Sequence, residues 1–121
     1  SLHVRRIDYD PKLEIHYYVN AASLIYKSVK NPHFFIFSDD IPWCKEHLTF
    51  LQQKTFVSHN YQDEVIDLKL ISNCKHHIIA NSSFSWWGAW LGKYSSKIVI
   101  APLKTQIGVI DYLYPKDWIL I

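Results

Sequence analysis

The chain has 121 residues, 49% of them hydrophobic and 20% charged, with a formal net charge of +2. That length suits one domain with its own core, and the composition is neither disordered nor membrane-like. The charge balance lacks the dense basic patch of a nucleic-acid binder. The apolar stretch 78–91 is interrupted by four polar residues and is too short to cross a bilayer.

In chain order, residues 1–4 read as a strand and 5–11 as a polar loop. Residues 13–30 have helical spacing, with Leu13, Tyr17, Ala21, Leu24 and Ile25 on one side, and Asn31-Pro32 stops the helix. The run 33–38 (HFFIFS) is nearly all apolar, as in a strand buried on both faces. Asp39-Asp40 follow it, and 41–51 reads as a helix with Pro42 in its first turn. A strand is expected at 55–58, a helix at 63–73, a strand at 76–80, a helix at 83–92 and a strand at 97–101. The tail 103–121 reads as irregular, with a short helix and an aromatic-pinned turn at 114–118.

Alternation of this kind predicts an α/β fold: a Rossmann-like, doubly wound parallel sheet of about five strands. The first strand is already under way at Ser1 and the chain contains no methionine, so a fragment of a larger protein is expected. Cys44 and Cys74 have no CxxC spacing and read as free thiols of a reducing compartment. His76 and His77, as strand neighbours, point to opposite faces and do not form a metal site.

Ligands of open α/β sheets bind at the carboxyl ends of the strands. Those ends carry Arg5-Arg6, Ser38-Asp39-Asp40, His59-Asn60-Tyr61 and Asn81-Ser82-Ser83. Arginine suits a phosphate, because its planar fork donates two parallel hydrogen bonds. In strand geometry Arg5 and Arg6 face opposite ways, so one reaches a ligand and the other braces the loop by pairing with Asp8. The plainer alternative is a salt-bridged surface pair. Asp39 and Asp40 match the N1–H and 2-amino donors of guanine, or else cap the helix at Ile41. One residue for each role also fits. Asn81, Ser82 and Ser83 open a helix whose free N–H groups favour a phosphate, unless this is simply a capped helix with an aromatic packing face. Three glycines, Gly88, Gly92 and Gly108, and no GxGxxG or P-loop motif leave phosphate binding to arginine and to the helix start at 82–85. Trp86, Trp87 and Trp90 read as anchors of that helix.

His3-Val4-Arg5-Arg6-Ile7-Asp8-Tyr9 resembles the HxRRxD signature of enzymes that use GDP-fucose. FSDD with the following Pro-Trp-Cys-Lys-Glu, and Ser72-Asn73-Cys74 through SSFSWWGAWL, resemble the second and third motifs of the α-1,2-fucosyltransferase family, glycosyltransferase family 11. IVIAP and the late Tyr-Pro-Lys-Asp-Trp are also similar to its bacterial members. The resemblance covers essentially the whole chain, in the family's order.

It implies a glycosyltransferase-B architecture, with residues 1–121 as the carboxyl-terminal, GDP-fucose-binding half. It also implies inverting transfer of L-fucose from GDP-β-L-fucose to the 2-hydroxyl of a terminal galactose, with no metal and no cofactor beyond the donor. Arg5 would meet the donor pyrophosphate with His3 and Arg6 close by, an FSDD carboxylate (Asp39 or Asp40) the guanine, and Ser82, Ser83 and Phe84 the phosphates. Arg5, His3 and Asp8 are the catalytic candidates, with Glu14 a further choice of base. Implied partners are GDP-fucose, a galactose-terminated glycan or lipopolysaccharide acceptor, and the amino-terminal half of the same enzyme. Implied placement is cytoplasmic, peripheral on the inner membrane face, for a bacterial member, and the Golgi lumen for a eukaryotic one. Ile7 departs from the glycine usual at its position, which sets a different backbone expectation for that loop. Two rival readings are a GDP-sugar transferase making α-1,6 or protein-linked fucose, and a non-catalytic α/β binding module.

Overall fold

The alternating pattern folds into β1 (Leu2–Val4), α1 (Ile15–Ser28), β2 (Phe34–Ser38), α2 (Ile41–His47), β3 (Lys54–Val57), α3 (Glu64–Ser72) and β4 (His77–Ile78). Then come α4 (Ser83–Trp90), β5 (Val99–Ala101), β6 (Lys104–Thr105), β7 (Gly108–Val109), a 3₁₀ turn (Asp111–Leu113) and β8 (Ile119–Leu120). The computed structural model describes residues 1–7, 10, 12–60, 63–105, 108–109 and 111–121. The catalytic candidate Asp8, and Tyr61 of the expected rim, lie outside them.

Six strands form one parallel sheet in the order β3-β2-β1-β4-β5-β8. This is the expected Rossmann-like arrangement, with one strand more than the sequence suggested. β8 escaped notice because its two residues are too few to show a period; pairing of Ile119 with Ile100 and of Leu120 with Ala101 defines it. The tail also holds a short antiparallel pair, Lys104 with Val109 and Thr105 with Gly108.

Strand alternation divides the core between the two faces. Leu2, Val4, Phe34, Ile36, Ile78, Ala80 and Ile100 pack under Tyr18, Ala21, Ala22 and Ile25 of α1 and Cys44 of α2. On the other face Phe37 and Val57 meet Ile71 of α3, while Ile79, Val99 and Ala101 meet Ala89 of α4 and Trp118. α2 stops at His47, four residues before the apolar pattern ends. Leu48 and Leu51 prolong that pattern, yet they are core residues of the following turns, 0% and 1% exposed. α1 is left through Asn31, which takes φ 51°, a left-handed conformation that asparagine tolerates.

α3 and α4 approach each other at Gly88, where an added Cβ would lie 2.4 Å from Ile71 Cγ2 and 3.1 Å from Ile71 Cβ. Ile71 is fully buried and has nowhere to retreat. Gly88→Ala is therefore expected to cost about 1–3 kcal/mol by overpacking. A thermal midpoint equal to that of the parent chain would show that the two helices slide apart freely.

Candidate functional site

The order of the sheet fixes where a ligand crevice opens. The first three strands step outward from β1; α3 then carries the chain back to β4, on the other side of β1. The strand order thus reverses between β1 and β4, and in open α/β sheets the crevice lies at the carboxyl edge of that reversal. β1 ends there at Arg5-Arg6, and β4 runs through Ala80 and Asn81 into α4. Sequence spacing alone does not say which two of the strand ends are adjacent; the pairing does.

Asp39, just beyond β2, is the centre of the β1 side. Its Oδ1 accepts the Arg6 backbone N–H at 2.9 Å and its Oδ2 accepts that of Ile7 at 2.8 Å. Oδ2 also lies 3.3 Å from Arg5 Nε, with the Asp39 side chain 14% exposed and that of Arg5 40% exposed. One carboxylate therefore shapes the turn after β1 and steadies Arg5. Among the described residues Arg5 pairs with Asp39, a link across 34 positions that the local reading did not foresee, and the expected partner Asp8 lies outside those residues. Asp40 has the other role expected of the pair: it is the N-cap of α2, its Oδ1 accepting the Trp43 N–H at 3.0 Å. Its own N–H donates to Ser38 Oγ at 2.9 Å. Arg6 lays its guanidinium 3.9 Å from the centre of the Trp43 ring. The side chains of Arg5 and Arg6 thus have different partners, as strand alternation anticipated.

On the β4 side, Ser82 is the N-cap of α4 in an extended conformation and makes no side-chain capping bond. The first intrahelical bond of the turn is donated by Trp86 to the Ser82 carbonyl at 3.0 Å, so the N–H groups of Ser83, Phe84 and Ser85 lack helical partners. Ser85 is fully buried, its hydroxyl 3.3 Å from the Ala80 carbonyl and 3.2 Å from that of Ser82. It holds the strand-to-helix turn in shape. Ser83 faces solvent, and Ser82 and Phe84 are half-buried.

His3 joins the two sides. It projects from β1 onto the α4 face, 5% exposed, with its ring centroid 5.5 Å from that of Phe84. Burial, reinforced by the Arg5 charge, lowers its pKa to about 3, so the imidazole is neutral. Among the described residues its buried Nδ1 has no hydrogen-bond partner. Tyr17 of α1 closes the next strand ends, its hydroxyl 2.6 Å from the Ile79 carbonyl and 3.1 Å from that of Ile100. Periodicity read this tyrosine as core, and nothing in its spacing announced the link to the edge.

The rim is thus assembled from Arg5, Arg6, Asp39, Asp40, His3, Ser82, Ser83 and Phe84. His59 and Asn60 turn elsewhere. Asn60 donates to Asp67 Oδ1 at 2.8 Å, and His59 lines a cavity of about 660 Å³ with Phe35, Leu70, Cys74 and Tyr94. None of the eight rim residues lines that cavity. We place the candidate site at the rim, where the charged and donor groups lie, and not at that cavity. Glu14 is exposed at the start of α1 and makes no side-chain cap. Among the described residues no cluster of three or more potential metal ligands is found, and no helix is long and apolar enough to cross a membrane.

The tryptophans of α4 separate. Trp86 stacks on Trp90 at 5.2 Å, contacts Trp118 at 5.6 Å and donates from Nε1 to the Leu113 carbonyl at 3.0 Å. Trp87 and Trp90 are each 51% exposed, so Trp86 is the main anchor of the three.

The chain is 44% identical to an α-1,2-colitosyltransferase of Escherichia coli over all of its length and 47% of that protein's. It is 40% identical to the O-antigen biosynthesis glycosyltransferase WbnK of Escherichia coli, over 89% of this chain and 39% of that one. The chain therefore spans about half or less of the length of these curated relatives. No solved structure matches it significantly. A family model described as Glycosyl transferase family 11 matches residues 1–121, and the chain belongs to that family.

Proposed function

We propose that this chain is the nucleotide-sugar half of an inverting α-1,2-glycosyltransferase, with GDP-β-L-fucose as donor and the 2-hydroxyl of a terminal galactose as acceptor. The observation that supports it most is the placement of Arg5 after β1 and of the uncapped start of α4 after β4, on the two sides of the strand-order reversal, with His3 and Phe84 in ring contact between them. A guanidinium and a helix N-terminus facing one crevice favour a diphosphate.

In this reading the Arg5 guanidinium and the N–H groups of Ser83 and Phe84 hold the pyrophosphate, with the hydroxyls of Ser82 and Ser83 adding donors. The Asp39–Asp40 segment receives the guanine, through carboxylate lone pairs left over from their bonds to backbone N–H groups. The acceptor oxygen bonds to the anomeric carbon, the bond from that carbon to the phosphate oxygen breaks, and its electron pair leaves on GDP. The positive groups at the rim stabilise that developing charge. His3, neutral and enclosed beneath Phe84, sets the position of that ring. The proton of the acceptor hydroxyl goes to a carboxylate, for which Asp8 and Glu14 are the candidates. The missing acceptor side comes from an amino-terminal half that completes a glycosyltransferase-B enzyme, working on the cytoplasmic membrane face on a glycan or lipopolysaccharide chain.

A second donor is worth testing, because the relative named for an α-1,2 linkage transfers colitose. GDP is expected to raise the melting temperature of the chain, with EDTA present or absent, while ADP and UDP do not. An equal response to all three, or to none, favours a non-catalytic module. Comparing GDP-L-fucose with GDP-colitose in the same assay then separates the two sugars.

A further inference from the structure

We propose that the adjacent arginines divide the work of the rim: Arg5 is the anion ligand, and Arg6 is a positioning residue that acts by stacking on Trp43. The Arg5 half rests on the donor reading above; the Arg6 half stands on geometry alone.

Two ties fix Arg6, one through its backbone and one through its side chain. Its backbone N–H is bound by Asp39 at 2.9 Å, which sets the direction of the chain after β1. Its guanidinium lies 3.9 Å from the centre of the Trp43 indole, where a flat, weakly hydrated cation is well matched to an aromatic face. The indole is itself immobilised. It stacks on His47 with centroids 4.4 Å apart and planes 11° from parallel, and the edge contact to Tyr18 of α1 is 6.4 Å. The Trp43 N–H is capped by Asp40 at 3.0 Å, and His47 Nδ1 lies 3.0 Å from the Trp43 carbonyl. Arg6 is thus bolted to the first turn of α2. Arg5 is likewise half-buried, its side chain 40% exposed, and among the described residues has no aromatic face beneath it but a carboxylate beside it that orients without covering it.

The consequence is a count of charge. One guanidinium meets the donor diphosphate, and the second fixes the turn that presents the first. Trp43, outside every ligand list drawn from the motifs, becomes a positioning residue as well.

The chain has two arginines in total, which permits a direct test. Phenylglyoxal modifies accessible guanidinium groups, and peptide fragmentation assigns the adduct to Arg5 or Arg6. Arg5 is expected to react first, and GDP to protect it while leaving the slower Arg6 rate unchanged. Trp43→Leu is expected to raise the Arg6 rate about 2–10-fold, the protection a cation–π contact gives at a partly exposed site. GDP binding supplies an independent measure. Arg5→Ala should flatten the dependence of affinity on salt, whereas Arg6→Met should weaken binding without changing that slope, and Arg6→Lys should restore part of the loss. Protection of Arg6 by GDP, or an Arg6 rate indifferent to Trp43→Leu, overturns the division of roles. Protection of neither residue overturns the Arg5 half and the donor reading with it, while the Trp43→Leu rate decides the Arg6 half separately.

Discussion

Replacing Asp39 by alanine is expected to lower both the stability of the chain and its affinity for GDP, whereas Arg5→Ala should lower chiefly the affinity. Asp39 accepts two backbone N–H groups, from Arg6 and Ile7, and sits against Arg5 Nε. Its removal strands the Arg6 and Ile7 donors and releases Arg5. Hydrogen bonds to a charged group contribute roughly 1.5–3 kcal/mol each, and partial exposure here puts the combined loss at about 2–3 kcal/mol. The Arg5 side chain, 40% exposed in its pair with Asp39, contributes at most about 1 kcal/mol to folding. Bound to a phosphate, the same guanidinium is expected to account for a roughly 10–100-fold change in Kd. Urea unfolding and calorimetric titration with GDP on both variants separate the two effects. An Asp39→Ala chain that unfolds at the parent midpoint would remove the carboxylate from its place at the centre of the rim.

The second large effect is on pH. His3 and His77 are both held neutral, each with its pKa lowered to about 3, chiefly by burial and then by neighbouring positive charge. His77 is fully buried, with Nδ1 3.0 Å from Ser1 Oγ. Its Nε2 lies so close to Gly92 that an added Cβ would come within 2.8 Å, which leaves no room to solvate an imidazolium. In the unfolded chain both rings titrate near the ordinary histidine value of 6.5. The unfolded state therefore binds more protons between about 3 and 6.5, and stability falls as pH falls through that window. Each histidine contributes a slope of about 1.4 kcal/mol per pH unit once the unfolded ring is protonated. Above about pH 7 that contribution is flat. A urea-midpoint series from pH 8 to pH 4 measures it. His77→Asn should make the acid limb shallower, and an unchanged limb would mean that the ring is already charged in the folded protein.

Much of this architecture was legible from side-chain chemistry alone. The run HFFIFS read as a strand buried on both faces, and Phe34, Ile36 and Phe37 are buried in β2, whereas Phe35 is 43% exposed. The alternation of such runs with helical patterns named the doubly wound sheet, and the carboxyl ends of its strands named the rim. The misreadings have local causes. Leu48 and Leu51 extend a helical period but serve the core, so α2 was read too long. Ile119 and Leu120 form a strand only because β5 offers them an edge.

What the sequence determined by itself was the kind of chemistry at each strand end: two guanidinium groups, two carboxylates, and a helix opening with hydroxyl residues. Burial and periodicity are local properties, and they can be read from neighbouring positions. Which of those groups meet was decided by the tertiary structure. Asp39 reaches back across 34 positions to Arg5, Arg6 turns to Trp43, and His3 slides beneath Phe84 across 81. These contacts depend on parallel pairing that places β1 between β2 and β4. That register follows from packing two helical layers against one sheet, and no short stretch of chain contains it.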